Sequence, residues 1–145
     1  MSNDCSRNGP VMIFTNKNMK EIIKTPNAPA PIGPYSQAVK AGNTLYVSGQ
    51  IAINPADGQI VQINIIREAT QVMENIGAIL KAAGYEFNDI VKTTIFLKDM
   101  NDFATVNEVY GQYFTSNFPA RETVQVSVLP KNVNVEISVV AVRIG

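Results

Sequence analysis

The sequence predicts a single α+β domain in which two helices pack on one face of a mixed β-sheet, with the element order ββαβαββ. Three observations support this prediction. The chain has 145 residues and is 46% hydrophobic, which suits one sizeable core and is too short for two comfortable domains. Two segments show the apolar period of an amphipathic helix. The other apolar segments alternate or are rich in valine and isoleucine, as β-strands are.

The N-terminal part is predicted to differ from the rest of the chain. Residues 1–18 are polar and contain one short apolar patch, so we expect an N-terminal extension, followed by a compact domain over residues 19–145. An extra edge strand at residues 12–15 is the less favoured alternative. The next stretch, TPNAPAPIGPYSQ, contains four prolines, which exclude a helix and favour an extended segment along the surface.

A hairpin and a helix are predicted next. The hairpin has strands at residues 36–40 and 44–48 and a turn at Gly42-Asn43, and the turn-rich loop INPADGQ follows it. The first helix is expected over residues 65–83, with Gly84 as its C-terminal cap. Its apolar residues recur at spacings of three and four: Ile65, Ala69, Val72, Met73, Ile76, Ile79, Leu80 and Ala83.

A third strand and a second helix continue the pattern. The strand lies within DIVKTTIFLKDM, where apolar and polar residues alternate. The helix is predicted to begin with Asn101 or Asp102 as its N-cap and to end before Phe118-Pro119. Its apolar stripe comprises Phe103, Val106, Tyr110, Tyr113 and Phe114.

The last two strands, residues 122–129 and 133–144, are predicted to form a hairpin joined by PKN. Alternation would place one set of residues under the helices: Val124, Val126, Val128, Val135, Ile137, Val139 and Ala141. The opposite face would carry a polar but sparsely charged set: Arg121, Thr123, Gln125, Ser127, Asn134, Glu136, Ser138 and Val140. Such a face suits a covered surface, so we expect a closed oligomer, with an open two-layer monomer as the alternative.

Composition limits the possible functions. Twelve basic and twelve acidic residues balance without a cluster of like charge, so nucleic acid is not an expected partner. No apolar run approaches the roughly 20 residues of a membrane helix, and the start MSNDCSRNG lacks the plan of a signal peptide, so we expect a soluble cytoplasmic protein. A disulfide framework is excluded because Cys5 is the single cysteine. Without histidine, proton transfer near neutrality must use other side chains.

The chain resembles the RidA/YjgF/UK114 family of reactive-intermediate deaminases from about residue 27 to the C-terminus. The resemblance is carried by the segments APAPIGPYSQAV, LYVSGQI, VKTTIFLKDMNDFATVNEVYGQYF and FPARETVQVSVLPKNVNVEISVVAV. It implies a chorismate-mutase-like fold in homotrimers, with the sheets forming a central barrel and active sites in the clefts between subunits. It also implies hydrolysis of 2-imino acids, such as 2-iminobutanoate and 2-iminopropanoate, to 2-oxo acids and ammonia, with no metal or organic cofactor.

The resemblance implies two catalytic residues. Arg121 would grip the substrate carboxylate, since a guanidinium can donate two parallel hydrogen bonds to it. Glu136 would orient the attacking water. Alternation in the predicted hairpin places the two side chains on one side of the sheet.

Further substrate-binding roles come from the resemblance alone. Tyr35 matches a tyrosine that closes the pocket from the adjacent subunit, and Ser48 with the amide of Gly49 matches a polar lip. Asn107 matches a helix-borne asparagine near the site. Judged without the family, turn packing for Tyr35 and helix-surface polarity for Asn107 are nearly as well favoured.

Two residues beside Arg121 depart from the family pattern. Thr123 stands where many members have cysteine, and it keeps a binding role because the backbone carbonyl there is expected to hold the water. Glu122 replaces a small residue. A regular strand would point Glu122 away from Arg121, towards the helices or an exposed rim, whereas a bulge would turn it inward against an anionic substrate.

Two other functions stay open. One is a non-catalytic trimeric module that binds small carboxylates and has a regulatory or chaperone role. The other, disfavoured by the charge balance, is an RNA-directed inhibitor of translation.

Overall fold

The computed structural model describes residues 20–143, which form a six-stranded mixed sheet with two α-helices. The elements are β1 (Lys20–Ile23), β2 (Ala38–Ala41), β3 (Thr44–Gln50), α1 (Ile65–Ala82), β4 (Ile90–Leu97), α2 (Phe103–Gly111), β5 (Ala120–Gln125) and β6 (Val135–Val142). The strand order is β1-β2-β3-β6-β4-β5, with every pair antiparallel except β4 and β5. The predicted α+β class is confirmed. The extra N-terminal strand is β1, and the alternative at residues 12–15 lies outside the described part.

Helix α1 follows its sequence signals closely. The Asn64 side chain accepts a hydrogen bond from the Arg67 amide at 2.9 Å and so caps the first turn. Gly84 has φ +81°, the left-handed conformation that favours glycine after a helix. The predicted stripe faces the core: Ala69, Val72, Met73, Ile76, Ile79 and Leu80 are buried, and Ile65 and Ala83 pack partly buried against them.

Helix α2 begins where predicted but lacks the side-chain cap. A 3₁₀ turn, Met100–Asp102, precedes it, and the Asp99 side chain accepts a hydrogen bond from the Asn101 amide at 2.9 Å. Asp102 is the N-cap residue of α2, as one of the two predicted alternatives had it, but its side chain makes no capping hydrogen bond.

The predicted C-terminal hairpin is wrong. Strand β5 pairs in parallel with β4, while β6 lies between β3 and β4 in the middle of the sheet. The physical reason is α2, which returns the chain from the end of β4 to its beginning, as a parallel partner requires. The PKN segment, Pro130–Asn132, is a 3₁₀ turn on the way from the sheet edge to its centre, and its flanking residues Leu129 and Val133 are buried with Ile51.

This topology changes which β5 residues face the helices. Arg121 pairs with Thr93, which is fully buried, and Val124 pairs with Phe96 on the opposite face. Val124 is accordingly 42% exposed and Val128, beyond the strand, 66% exposed, so neither lies under the helices as predicted. The prediction for β6 is confirmed, since its residues on the helix side are buried: Val135, Ile137, Val139 and Ala141.

A buried carboxylate joins α1 to the start of β6. Glu68 is 1% exposed, and its two carboxylate oxygens accept hydrogen bonds from the backbone amide and the side-chain amide of Asn134, each at 2.8 Å. The Asn134 carbonyl in turn accepts from the Lys98 amide at 3.0 Å. One helix and the ends of two strands are therefore fixed to one another two residues before Glu136.

Candidate active site

Four of the predicted site residues line one cavity of about 340 Å³: Tyr35, Ser48, Gly49 and Glu136. Its other walls are largely apolar. They include Pro29, Ala30 and Ile32 of the proline-rich segment, together with Ile51, Ile53 and Pro130. A small molecule with a polar end and an apolar end fits this arrangement.

Glu136 is half-buried in this cavity and lies against the backbone of Gly49. A Cβ at Gly49 would lie 2.8 Å from the Glu136 Cδ and 2.9 Å from its Oε1, so only glycine leaves the carboxylate in place. Within residues 20–143 the carboxylate has neither a hydrogen-bond partner nor an ion-pair partner. Burial raises its pKa above the ordinary value of 4.5. Glu136 is therefore free to exchange a proton with a bound molecule.

Tyr35 and Ser48 differ in what they can still bind. The Tyr35 hydroxyl accepts a hydrogen bond from the Ile32 amide at 3.2 Å, which leaves its own proton free to donate. The Ser48 hydroxyl donates to the Ser36 carbonyl at 2.6 Å, so it can only accept from a ligand. Ser48 thereby also fastens the segment before β2 to β3.

Arg121 and Asn107 line a second cavity, of about 470 Å³, which also includes Tyr110 and Phe118. The Arg121 Nη1 donates to the Asn107 Oδ1 at 2.6 Å. The guanidinium carbon lies 5.1 Å from the ring centroid of Tyr110 and 5.7 Å from that of Phe103, both within cation–π range.

The Arg121 guanidinium is held in position but has no anionic partner among the described residues. No carboxylate of the described residues lies within ion-pair distance of it, while the amide and the two rings fix its position. Burial raises the pKa of Tyr110, and its hydrogen bond to Thr93 and the charge of Arg121 counteract the rise. Sequence reasoning placed Phe103 and Tyr110 in the core stripe. Their spacing of four and three residues from Asn107 was the signal that all three share one helix face.

The two residues that depart from the family pattern lie on opposite faces of β5. Thr123 shares the face of Arg121, and its hydroxyl is buried without a hydrogen-bond partner among the described residues, but it lines neither cavity. Glu122 points away from Arg121 and forms an exposed ion pair with Lys92. The regular-strand expectation for Glu122 is thus confirmed, and it leaves the guanidinium free.

Arg121 and Glu136 do not share a face, which contradicts the prediction. Arg121 pairs with Thr93 and Glu136 pairs with Phe96, and residues three apart along β4 point to opposite sides of the sheet. The prediction failed because it assumed that β5 and β6 were neighbours in a hairpin. In one chain the two residues belong to two separate cavities with β4 between their strands.

Two other properties of the described residues bear on the choice of ligand. Across residues 20–143, no three histidine, cysteine, aspartate or glutamate side chains are grouped as a metal site requires. In the same part of the chain, neither α-helix has the length and apolar character needed to cross a membrane.

Comparisons with known proteins cover most of the chain. The family model described as Endoribonuclease L-PSP matches residues 25–143. A RutC family protein of Pyrococcus horikoshii is 58% identical over 125 residues, which are 86% of this chain and 99% of that protein. The 2-iminobutanoate/2-iminopropanoate deaminase of Homo sapiens is 53% identical over 125 residues, 86% of this chain and 91% of that protein.

A solved structure agrees with the fold and the sequence match. The crystal structure of Escherichia coli TdcF with bound serine has a TM-score of 0.82 and 46% identity, and covers 86% of this chain and 99% of its own. Together with the family model, these matches identify the chain as a member of the RidA/YjgF/UK114 family.

Proposed function

We propose that this protein hydrolyses short-lived 2-imino acids, such as 2-iminobutanoate and 2-iminopropanoate, to 2-oxo acids and ammonia. The observation that carries the proposal is a pair of unpaired charges: the Arg121 guanidinium and the half-buried Glu136 carboxylate, each in its own cavity. A carboxylate ligand suits the first, and a proton-accepting role suits the second. The 53% identity to the human 2-iminobutanoate/2-iminopropanoate deaminase supports the same activity.

Arg121 binds the substrate carboxylate and Asn107 orients it. Since Asn107 Oδ1 occupies one Nη1 hydrogen, the remaining guanidinium donors form a fork for two carboxylate oxygens. The Tyr35 hydroxyl donates to the substrate from the other cavity, and the Gly49 amide and Thr123 carbonyl provide further polar contacts.

Glu136 activates the water that attacks the imine carbon. As the new C–O bond forms, one water proton passes to Glu136, and the electron pair of the C=N bond moves to nitrogen. Glu136 then returns that proton to nitrogen. The C–N bond then breaks while Glu136 accepts the proton of the new hydroxyl, which gives the 2-oxo acid and ammonia. That proton finally passes from Glu136 to ammonia, which leaves as ammonium. A protonated imine is already electrophilic, so positioning and a carboxylate base suffice without histidine.

The complete site lies between chains. Because Arg121 and Glu136 face opposite sides of the sheet in one chain, one substrate can contact both only if they come from neighbouring subunits. A homotrimer whose sheets form a central barrel provides such clefts, with Arg121 and Asn107 on one side and Tyr35 and Glu136 on the other. The open sheet face carries the exposed apolar side chains Ile22, Tyr46 and Val124, and their exposure supports burial of this face between subunits.

The test is ammonia or 2-oxo acid release from 2-iminobutanoate, generated in place by a threonine dehydratase. We expect the wild type to accelerate release and Arg121→Ala to abolish the acceleration while its oligomeric state is unchanged. The absence of acceleration by wild-type oligomer would reject the proposal.

A second function is favoured by one comparison. The similar E. coli TdcF was crystallised with bound serine, so a non-catalytic module that binds small carboxylates is the alternative. In that case calorimetry would detect carboxylate binding that Arg121→Ala removes, with no turnover by the wild type. Salt-sensitive retention of RNA would instead favour the activity named in the family model's description.

A further inference from the structure

The proline-rich segment at residues 25–35 forms one wall of the Glu136 cavity but has few attachments of its own. It lies between β1 and β2, outside the sheet, and its four prolines lack the backbone N–H that a ladder would use. Pro29, Ala30, Ile32 and Tyr35 line the cavity. A contact from outside the segment must therefore fix the position of this wall.

The side-chain amide of Gln37 supplies that attachment. Its Oε1 accepts from the Thr25 amide at 2.8 Å, and its Nε2 donates to three carbonyls: those of Thr25 at 3.0 Å, Ala28 at 3.2 Å and Pro29 at 2.9 Å. Gln37 is 4% exposed, so these bonds have little competition from water. One side chain thus holds both ends of the turn that presents Pro29.

Gln37 is itself fixed to the sheet. Its backbone carbonyl accepts from the Ser48 amide at 3.0 Å, and the Ser48 hydroxyl donates to the neighbouring Ser36 carbonyl. Ala28, which is 3% exposed, adds an apolar anchor for the same turn. The path of contacts therefore runs from Ser48 of β3 through Gln37 to Pro29, which lines the cavity.

We propose that Gln37, which itself reaches the cavity, is a positioning residue that fixes the proline-rich wall and thereby holds in place the apolar surface that binds the substrate side chain. This inference rests on the proposed function. Pro29, Ala30 and Ile32 of the wall are apolar, so they suit the side chain of a 2-imino acid rather than its carboxylate. A branched aliphatic side chain offers this wall more apolar surface than a methyl group does.

The experiment compares Gln37→Met with Ile79→Val. Methionine keeps the length of glutamine but has no amide, while Ile79→Val weakens the core at a buried α1 position that lines neither cavity. KM and kcat are measured for the 2-imino acids derived from alanine and leucine. Dissociation constants of pyruvate and 4-methyl-2-oxopentanoate are measured by calorimetry, and hydrogen exchange is followed at the Thr25 amide.

For Gln37→Met we expect KM for the leucine-derived substrate to rise about tenfold relative to the alanine-derived one, with kcat nearly unchanged. Exchange at Thr25 should also accelerate, and Ile79→Val should change neither the ratio nor the exchange. The inference would be overturned if Gln37→Met changed KM equally for both substrates. It would also be overturned if Ile79→Val shifted the ratio of the two KM values. If the wild type hydrolyses no imine, the proposed function fails separately. The dissociation constants of the two 2-oxo acids then decide the matter. A rise for 4-methyl-2-oxopentanoate but not for pyruvate in Gln37→Met supports the inference, and the absence of such a selective rise overturns it.

Discussion

Charged side chains in this protein fall into groups according to their partners. Glu122 and Lys92 neutralise each other at the surface, and Glu68 is buried but accepts two hydrogen bonds from Asn134. Glu136 and Arg121 have no opposite charge within reach among the described residues. A half-buried charge without such a partner loses solvation that a bound molecule can restore, which is why we propose these two residues as the reactive centre.

Gly49 is the residue on which the position of Glu136 depends most directly. We expect Gly49→Ala to displace the carboxylate, because the added Cβ would lie 2.8 Å from the Glu136 Cδ. A displacement of this size should reduce kcat for 2-iminobutanoate by about a hundredfold. The reduction is measured by 2-oxo acid release.

Gly42→Ala is the matched control for that change. Gly42 has φ +59° and open space around its Cα, so alanine there should cost about 1 kcal/mol of stability through strain and leave activity intact. Full activity in Gly49→Ala would show that Glu136 does not need its present position.

The raised pKa of Glu136 gives activity and stability opposite pH trends. The ionised carboxylate is the base, so kcat/KM should fall as pH falls through the raised pKa, and the acid limb should lie above 4.5. For stability, the folded state binds more protons than the unfolded state between 4.5 and the raised pKa. The contribution of Glu136 is therefore fully present below 4.5 and is lost as pH rises through that window.

This pH prediction is checked with Glu136→Gln, which removes the titration. The unfolding free energy of the wild type relative to the variant should decline with rising pH in urea titrations. A difference that stays constant or increases would contradict a raised pKa.

Glu122 lies next to Arg121 in sequence but acts on the other face of β5. We expect Glu122→Ser to leave kcat/KM within about twofold and to change stability by about 0.5 kcal/mol or less, as for other exposed ion pairs. Initial rates on 2-iminobutanoate and urea unfolding measure the two effects. A large gain in activity would mean that Glu122 restrains Arg121 after all.

At the scale of elements, the spacing of apolar residues predicted helix α1 well and the pairing of the last two strands poorly. The stripe of α1 could be predicted because burial on one side imposes its own spacing on the sequence. The position of β5 could not, since alternating valines fit a hairpin as well as a parallel edge strand. All the predicted site residues except Thr123 line one of the two cavities, but the expectation that Arg121 and Glu136 share a face depended on that pairing.

The link between α1 and β6 should be a major source of stability. Glu68→Ala would leave the backbone amide and the side-chain amide of Asn134 without their partners at a partly buried position, at a cost of about 2 kcal/mol. Glu68→Gln should cost less, because its remaining oxygen still accepts from the Asn134 amide. Urea unfolding of both variants, combined with Asn134→Ala in a double-mutant cycle, tests this, and strict additivity would contradict the coupling.

At the scale of the whole molecule, the open sheet face is less polar than the sequence suggested. Val124 of β5 lies on this open face and not under the helices as predicted. Ile22 of β1 and Tyr46 of β3 lie there too, and each of the three is more than 40% exposed. A covered sheet face was inferred from a polar set whose β5 members were placed on the wrong face, while Glu136, Ser138 and Val140 of β6 do lie here. The apolar residues on this face support the same conclusion.

Mixed oligomers provide the sharpest test of a site between chains. Arg121→Ala and Glu136→Ala, each inactive alone, should recover activity when co-expressed or refolded together. With random mixing, about a quarter of the sites would combine a native Arg121 with a native Glu136 from the neighbouring chain. Recovery is measured on the purified mixture against each variant alone. No recovery in verified mixed trimers would mean that each site uses residues of a single chain.

The separation of Arg121 and Glu136 onto opposite faces of one sheet also has a genetic consequence. In the proposed ring of three chains, a subunit that lacks both residues would disable the cleft on each of its sides and leave one cleft working. A cell expressing equal amounts of normal and doubly defective chains would keep about a quarter of its sites, not half. Such an allele would be expected to act dominantly, even though the defective chain folds and assembles normally.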